Sequence, residues 1–264
     1  IWKMKLKNRN AQMNSFTKIF FLFLMVCFYS EVASAQSAAE IFKNANDLYK
    51  KNKFDEAASA YEKIIGQGYE SPDAFYNLGN CYYKLKRIGK AILYFKKAEK
   101  ISPGDEDIQH NLQIAELKTI DKIRPLPQLK IFSWWNEFVS SQSSDGWSFL
   151  AIFSLWISVI VFTTSMFVFR KKIFSRLSFA LILVSVCFFL LAYHQKKNEE
   201  SDNEAVLMVS NTDVKSAPDA NSSNLFIIHE GTCFKIFDSV GNWNKIKLED
   251  GKVGWIESNS YLKI

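Results

Sequence analysis

Residues 38–71 and 72–105 carry one pattern twice, 34 positions apart. Aligned at that offset, Ala45 falls on Gly79, Ala57 on Ala91 and Tyr61 on Phe95, while Asn46 falls on Asn80, Tyr49 on Tyr83 and Lys50 on Lys84. Small and large apolar residues recur at helical spacing within each unit, so each reads as two antiparallel helices. A hairpin of this size cannot bury its apolar face alone and must stack on a neighbour. The pattern therefore predicts an all-α array in the first part of the chain. Such arrays seldom carry out chemistry; their surfaces hold other proteins.

In the second unit Phe75, Leu78, Gly79 and Tyr82 lie on the first helix, Ala91, Phe95 and Ala98 on the second, and Pro103 closes the unit. Gly79 and Ala91 are small enough for the two helices to approach closely, and Lys86-Arg87-Ile88-Gly89 is the expected turn. The first unit is looser, with Ile41, Ala45, Ala57 and Tyr61 in the matching places and a turn at Asn52-Lys53-Phe54-Asp55, where Asp55 is an available N-cap. These residues resemble the tetratricopeptide repeat, closely in the second unit and well in the first. Residues 105–122 read as one more amphipathic helix, with Ile108, Leu112, Ile114 and Ala115 apolar, that caps the last repeat. The helical region is thus set at 38–122.

Phe42, Asn46, Tyr49 and Lys50 share one face of the first helix, and Tyr76, Asn80, Tyr83 and Lys84 repeat that face one unit later. The resemblance implies that first helices line a concave groove, so these eight residues are the expected peptide-binding rows. Asn can grip the amides of an extended peptide, Tyr supplies rigid apolar area and Lys can meet a carboxylate. The competing reading is that the aromatic residues are partly core and the lysines simply solvated.

The hydrophobic content, 48%, is concentrated in three charge-free stretches at Ile19–Tyr29, Trp147–Phe169 and Leu177–Tyr193. Met13 is the expected start, and from there the chain has the grammar of a secretory signal. Lys18 precedes the eleven-residue apolar core Ile19–Tyr29, and Ala33-Ser34-Ala35 stands before Gln36 as a small-residue cleavage site. Residues 1–35 are therefore read as leader and signal peptide, with cleavage after Ala35. An uncleaved anchor and lipidation at Cys27 are the alternatives, the latter opposed by Val26 where a small residue is expected.

The other two stretches have no polar face and suit roughly 30 Å of hydrocarbon, so residues 147–193 are expected to form two transmembrane helices. Arg170, Lys171, Lys172 and Arg176 fall in the turn 170–176, which the positive-inside rule places in the cytoplasm. Trp134, Trp135 and Trp147 before the first span, and Tyr193 after the second, suit the headgroup zone. Residues 123–146 are read as a linker, begun by Arg124-Pro125-Leu126-Pro127. Signal and hairpin together put both flanking modules on the non-cytoplasmic side. The spans contain no ionisable residue, so nothing supports an ion or substrate pathway.

Residues 205–264 change to short alternating runs at Ala205–Val209, Leu225–Ile228, Cys233–Phe237, Trp243–Leu248 and Gly254–Glu257, separated by turn residues. Short strands of this kind argue for a small β-barrel or sandwich. Val214-Lys215-Ser216-Ala217-Pro218, Gly241-Asn242-Trp243-Asn244-Lys245-Ile246 and Asp250-Gly251-Lys252-Val253-Gly254-Trp255-Ile256 resemble the bacterial SH3-like (SH3b) family. That resemblance implies binding of peptidoglycan or peptides, with Trp243 and Trp255 as candidate contacts. The favoured expectation is nevertheless that both tryptophans pack the core, which so small a domain needs.

Of 33 basic and 27 acidic residues, five and one lie in 1–35, leaving 28 against 26, a net +2 that argues against a nucleic-acid partner. Cys27, Cys81, Cys187 and Cys233 fall in four separate regions, as do His110, His194 and His229 in three, so neither a disulfide framework nor a metal site is expected. No cofactor and no catalysis are expected either, since neither soluble module shows a nucleophile–base pair or clustered carboxylates.

The fold class is thus a multidomain membrane protein: an all-α tetratricopeptide repeat solenoid, a transmembrane helical hairpin and an all-β SH3-like barrel. With Asn111-Leu112-Gln113-Ile114-Ala115, Asp121-Lys122-Ile123-Arg124-Pro125-Leu126-Pro127 and Trp134-Trp135, this order of parts is similar to the BatE-type proteins of the Bacteroides aerotolerance operon. The resemblance implies an inner-membrane protein displayed in the periplasm, with von Willebrand A-type and other repeat proteins of the operon as partners. The function expected is a non-catalytic periplasmic scaffold; the alternative is an envelope sensor or wall-attachment protein that binds peptidoglycan.

Overall fold

The computed structural model describes residues 38–127, 129–165, 171–200 and 203–264, so the expected leader and cleavage site, with Cys27 and Arg170, lie outside the described residues. The chain divides after Tyr69 into two compact units. The described part of the first is a helical hairpin, α1 over 38–50 and α2 over Phe54–Gly66. Ala45, Ala57, Ala58, Tyr61 and Ile64 are buried between the helices. Asn52 takes a left-handed φ of 61° in the turn, which asparagine tolerates. Asp55 is not the cap expected of it. The α2 helix begins one residue earlier, and Asp55 lies in its first turn, where a carboxylate still favours the helix dipole.

The second unit opens with α3 (Pro72–Lys84), α4 (Ile88–Ile101) and α5 (Glu106–Glu116). Ser71 caps α3 by accepting from the Ala74 amide at 3.1 Å, and Pro72 occupies the first turn, where its missing N–H costs nothing. The turn to α4 is tighter than Lys86–Gly89. Lys86 adopts φ 60°, and Ile88 and Gly89 already belong to the helix. Asp105 caps α5 by accepting from the amides of Asp107 and Ile108. That helix stops at Glu116 rather than Lys122, because Lys122 folds back and its Nζ donates to the carbonyls of Glu116 and Leu117 at 3.3 and 2.8 Å.

Residues read as a plain linker contain a further helix, α6 (Lys130–Ser140). It leads into α7 (Ser144–Ser165) and α8 (Lys171–Glu199), both long and apolar enough to cross a membrane. Lys171, Lys172 and Arg176 were expected in a turn but lie in the first turns of α8, since the segment holds no Gly or Pro to stop a helix. The hairpin is packed through small residues. Ala151, Ser154 and Ser158 of α7 face Ser178, Ser185 and Ala192 of α8, all buried. Ser154 donates to the Leu181 carbonyl at 3.1 Å, Ser158 to Ser178 at 2.9 Å and Ser185 to Ala151 at 2.8 Å. Small side chains let the backbones approach, and hydroxyls joining them satisfy polar groups where water is absent. Phe149, Phe153, Phe179 and Phe189 point outward and are exposed. At the open end the Glu199 carboxylate accepts from the Ser144 amide and hydroxyl, capping α7.

The chain ends in an antiparallel sheet with strand order β3-β2-β6-β5-β4-β1-β7. The strands are β1 (Glu204–Leu207), β2 (Asn211–Lys215), β3 (Asn224–His229), β4 (Cys233–Val240), β5 (Trp243–Lys247), β6 (Val253–Glu257) and β7 (Tyr261–Lys263). Register shifts at Val214/Lys215 and Ile236/Asp238 bend the sheet. Two of the strands are absent from the sequence pattern: β2 buries only Val214, and β7 is three residues long. Ala205, Leu207, Val214, Ile228, Phe234, Ile246, Leu248 and Ile256 form the core, and Ile123, from the segment after α5, packs against it.

Candidate interaction surfaces

The two expected rows belong to separate units, and each is shaped by its own hairpin. In the first, Tyr61 donates to Asn46 Oδ1 at 2.5 Å, Phe42 meets the Tyr61 ring edge-on at 5.7 Å and Tyr49 meets Phe54 at 5.2 Å. Phe42, Asn46 and Tyr49 are therefore half-buried supports of their own hairpin, while Lys50 is exposed. In the second unit Tyr76 lies 5.9 Å from the Phe95 ring, and Tyr83 is half-exposed beside exposed Lys84. The competing reading, that the aromatic residues are partly core, describes Phe42, Tyr49 and Tyr76 well.

Sequence reasoning missed Asn111 as a site residue. Its side-chain amide donates to Tyr76 Oη at 2.8 Å and to Asn80 Oδ1 at 2.9 Å, so α5 extends the α3 row with a third polar group. The 34-residue offset could not find it, because that offset puts Ile114, not Asn111, opposite Asn80. What the cluster can do is hydrogen-bond a chain; it contains no acid–base pair.

Trp243 and Trp255 do not pack the sheet core, contrary to expectation. In β5 the inward residues are Asn244 and Ile246, and in β6 Gly254 and Ile256, so the pleat sends both tryptophans to the outer face. There they are half-exposed, with Lys245 paired directly opposite Trp255 and its Nζ 5.9 Å from that ring. The core is built of aliphatic residues and Phe234 instead.

The sheet domain and the second repeat are one body, joined through Asp121. Its carboxylate accepts from the His229 amide at 2.6 Å, the Thr232 hydroxyl at 2.7 Å and His229 Nδ1 at 3.0 Å. Burial alone would raise this carboxyl, but the hydrogen bonds from Thr232 and His229 outweigh it and hold the group below its ordinary value. Nearby, Glu230 accepts from the Gly89 amide at 3.0 Å in the first turn of α4, and Lys100 donates to the Ile264 carbonyl at 3.1 Å. A Cβ on Gly89 would meet Glu230 at 2.8 Å, so glycine there permits the contact. Burial pushes the thiols of Cys81 and Cys233 up to about 12, far from the thiolate a nucleophile needs. Among the described residues no cluster of histidine, cysteine or carboxylates could hold a metal.

A tetratricopeptide repeat model matches residues 42–106, and a bacterial SH3 domain model matches residues 210–263. The tetratricopeptide and SH3-like resemblances are thereby supported, and β1, which pairs between β4 and β7, lies just before the second match. No curated protein matches the chain. The repeat match indicates protein–protein interaction, the SH3 match indicates cell-wall binding, and the two apolar helices are compatible with membrane anchoring.

Proposed function

We propose that this protein is a membrane-anchored scaffold of the bacterial envelope that captures protein partners through its repeats. The hairpin α7–α8 anchors it in the inner membrane with repeats and sheet domain in the periplasm. The observation that carries the reading is the polar row of Tyr76, Asn80 and Asn111, held at fixed spacing by its own hydrogen bonds on a repeat surface. Such a preformed row loses little entropy when a peptide binds. Similarity to the BatE-type arrangement makes von Willebrand A-type and other repeat proteins of an aerotolerance operon the first partners to seek, in support of aerotolerance or envelope stress resistance. No catalytic step and no cofactor belong to this reading.

The test is affinity capture from crosslinked membranes. Because Asn46 and Asn80 also support the fold, Asn46→Ala with Asn80→Ala is compared with Tyr83→Ala/Lys84→Glu, which alters the same face at less buried positions. Loss of one shared partner in both variants is expected. Unchanged capture in both would sink the groove. A second reading, attachment to the wall, is favoured by the outward placement of Trp243 and Trp255. It predicts that full-length protein sediments with purified peptidoglycan and that Trp243→Ala/Trp255→Ala does not.

A further inference from the structure

Eleven residues of α6 divide cleanly around the helix. At about 100° per residue, Trp134, Phe138, Ile131, Trp135, Val139 and Phe132 follow one another over an arc of about 160°. Lys130, Ser133, Asn136, Glu137 and Ser140 fill the remainder. Val139 alone of the apolar set is buried; Ile131, Phe132 and Trp134 are each at least 60% exposed. Apolar exposure of that extent is costly in water. A helix of 11 residues is also too short to cross a bilayer.

Its surroundings say what covers this face. Trp147, in the first turn of α7, donates its indole N–H to the Val139 carbonyl at 2.9 Å, and its ring lies 5.4 Å from Phe138 and 5.8 Å from Phe188 of α8. The apolar face of α6 thus begins where the apolar flank of the hairpin begins. Asn136 and Ser140 of the opposite side, with Val139 near the edge of the apolar arc, line a cavity of 410 Å³ with Lys96 and Lys100 of α4 and Asn198 of α8. The polar side looks to the repeat and sheet body, the apolar side away from it. Trp134 stands at the boundary of the two, the position where indole suits a headgroup layer.

We infer that α6 lies in the plane of the membrane surface, its Ile131–Trp135–Phe138 face sunk among the lipids, and so fixes the height and tilt of the repeat and sheet body above the bilayer. The inference rests on the proposal that α7 and α8 span a membrane. One Lys and one Glu on the polar side nearly cancel, so the contact is apolar and needs no anionic lipid.

The full chain is reconstituted in pure phosphatidylcholine vesicles at about one copy each and treated with a membrane-impermeant maleimide, against the parent protein as background. Asn136→Cys should react at least tenfold faster than Ile131→Cys, and Phe153→Cys in α7 should be protected. Equal reaction of Ile131→Cys and Asn136→Cys, with Phe153→Cys protected, would overturn the inference while leaving the span intact. Free reaction of Phe153→Cys would overturn the spanning reading itself. Protection of Ile131→Cys that appears only as protein is crowded in the vesicles would assign the face to a second copy and overturn the lipid contact. Protection that is unchanged when one-fifth of the lipid is made anionic is the expected result, and protection requiring that lipid would contradict the apolar contact.

Discussion

At the scale of single residues, the most legible position is Gly79. The 34-residue offset sets it against Ala45, and the structure gives the reason: a Cβ there would stand 2.7 Å from two carbons of the buried Phe95 ring. Gly79→Ala gains about 1 kcal/mol of helix propensity but overpacks the hairpin by about 1–3 kcal/mol, so the expected net is a loss. A lowered thermal midpoint, partly restored by Phe95→Leu, would confirm this; a raised midpoint would contradict it. Asp121 was illegible by comparison, because His229 and Thr232 lie 108 and 111 residues away. Asp121→Asn replaces one of the two accepting oxygens by a donor NH2, so the three contacts lose an acceptor, and it should cost about 2 kcal/mol. The native carboxyl sits below its ordinary value of 3.8. The unfolded chain therefore takes up the proton first as pH falls, and the carboxylate's contribution is full above that value and lost below it. The gap between the thermal midpoints of wild type and variant should narrow as pH falls below about 4. A gap that persists at low pH would show that the charge does not matter.

At the scale of elements, periodicity revealed those that bury one face in protein and missed the short strands β2 and β7 and the helix α6, whose apolar face is largely exposed. Helix α6 has a strong apolar stripe, yet beside two long charge-free spans it read as an approach to the membrane rather than as a helix. The pair α7–α8 was visible from composition, but composition hides which side faces in. Serines supplied that side. Ser158 is buried, and its hydroxyl stands 2.9 Å from both the carbonyl and the hydroxyl of Ser178. Losing such hydrogen bonds between membrane helices costs only about 0.6 kcal/mol each, whereas an isobutyl group has no room between the backbones. Ser158→Ala should therefore be mild and Ser158→Leu severe, read as resistance of the hairpin to unfolding in denaturing detergent. Equal losses would mean that the hydroxyl, not its small size, holds α7 to α8. The tryptophans of the sheet domain make the complementary point: size and aromaticity predicted core, but the strand alternation around Ile246 and Ile256 decided otherwise.

At the scale of the whole molecule, the chain leaves α5, passes along the sheet domain through Asp121 and Ile123, runs out and back through α7 and α8, and then forms the sheet it has already touched. Contacts made on both sides of the hairpin require its ends to lie together, as the Glu199 carboxylate on the Ser144 amide also shows. If the hairpin crosses a membrane twice, α5 and the sheet domain must face the same compartment whatever the leader does. Asp107→Cys in α5 replaces an exposed side chain and Ser222→Cys in the β2–β3 turn a half-exposed one, and Lys172→Cys marks the far end of α8. With an impermeant maleimide on spheroplasts, the first two should label alike without permeabilisation and the third only after it. The charges at the far end, Lys172 and Arg176 among them, favour this orientation over its mirror. If all three labelled only after permeabilisation, the protein would be inverted and the wall reading would fall, while the shared side of α5 and the sheet would stand. If Asp107→Cys and Ser222→Cys differed, the hairpin would not return the chain to its starting side. The junction at Asp121 would then be impossible in the membrane, and with it the single body on which a scaffold of this size depends.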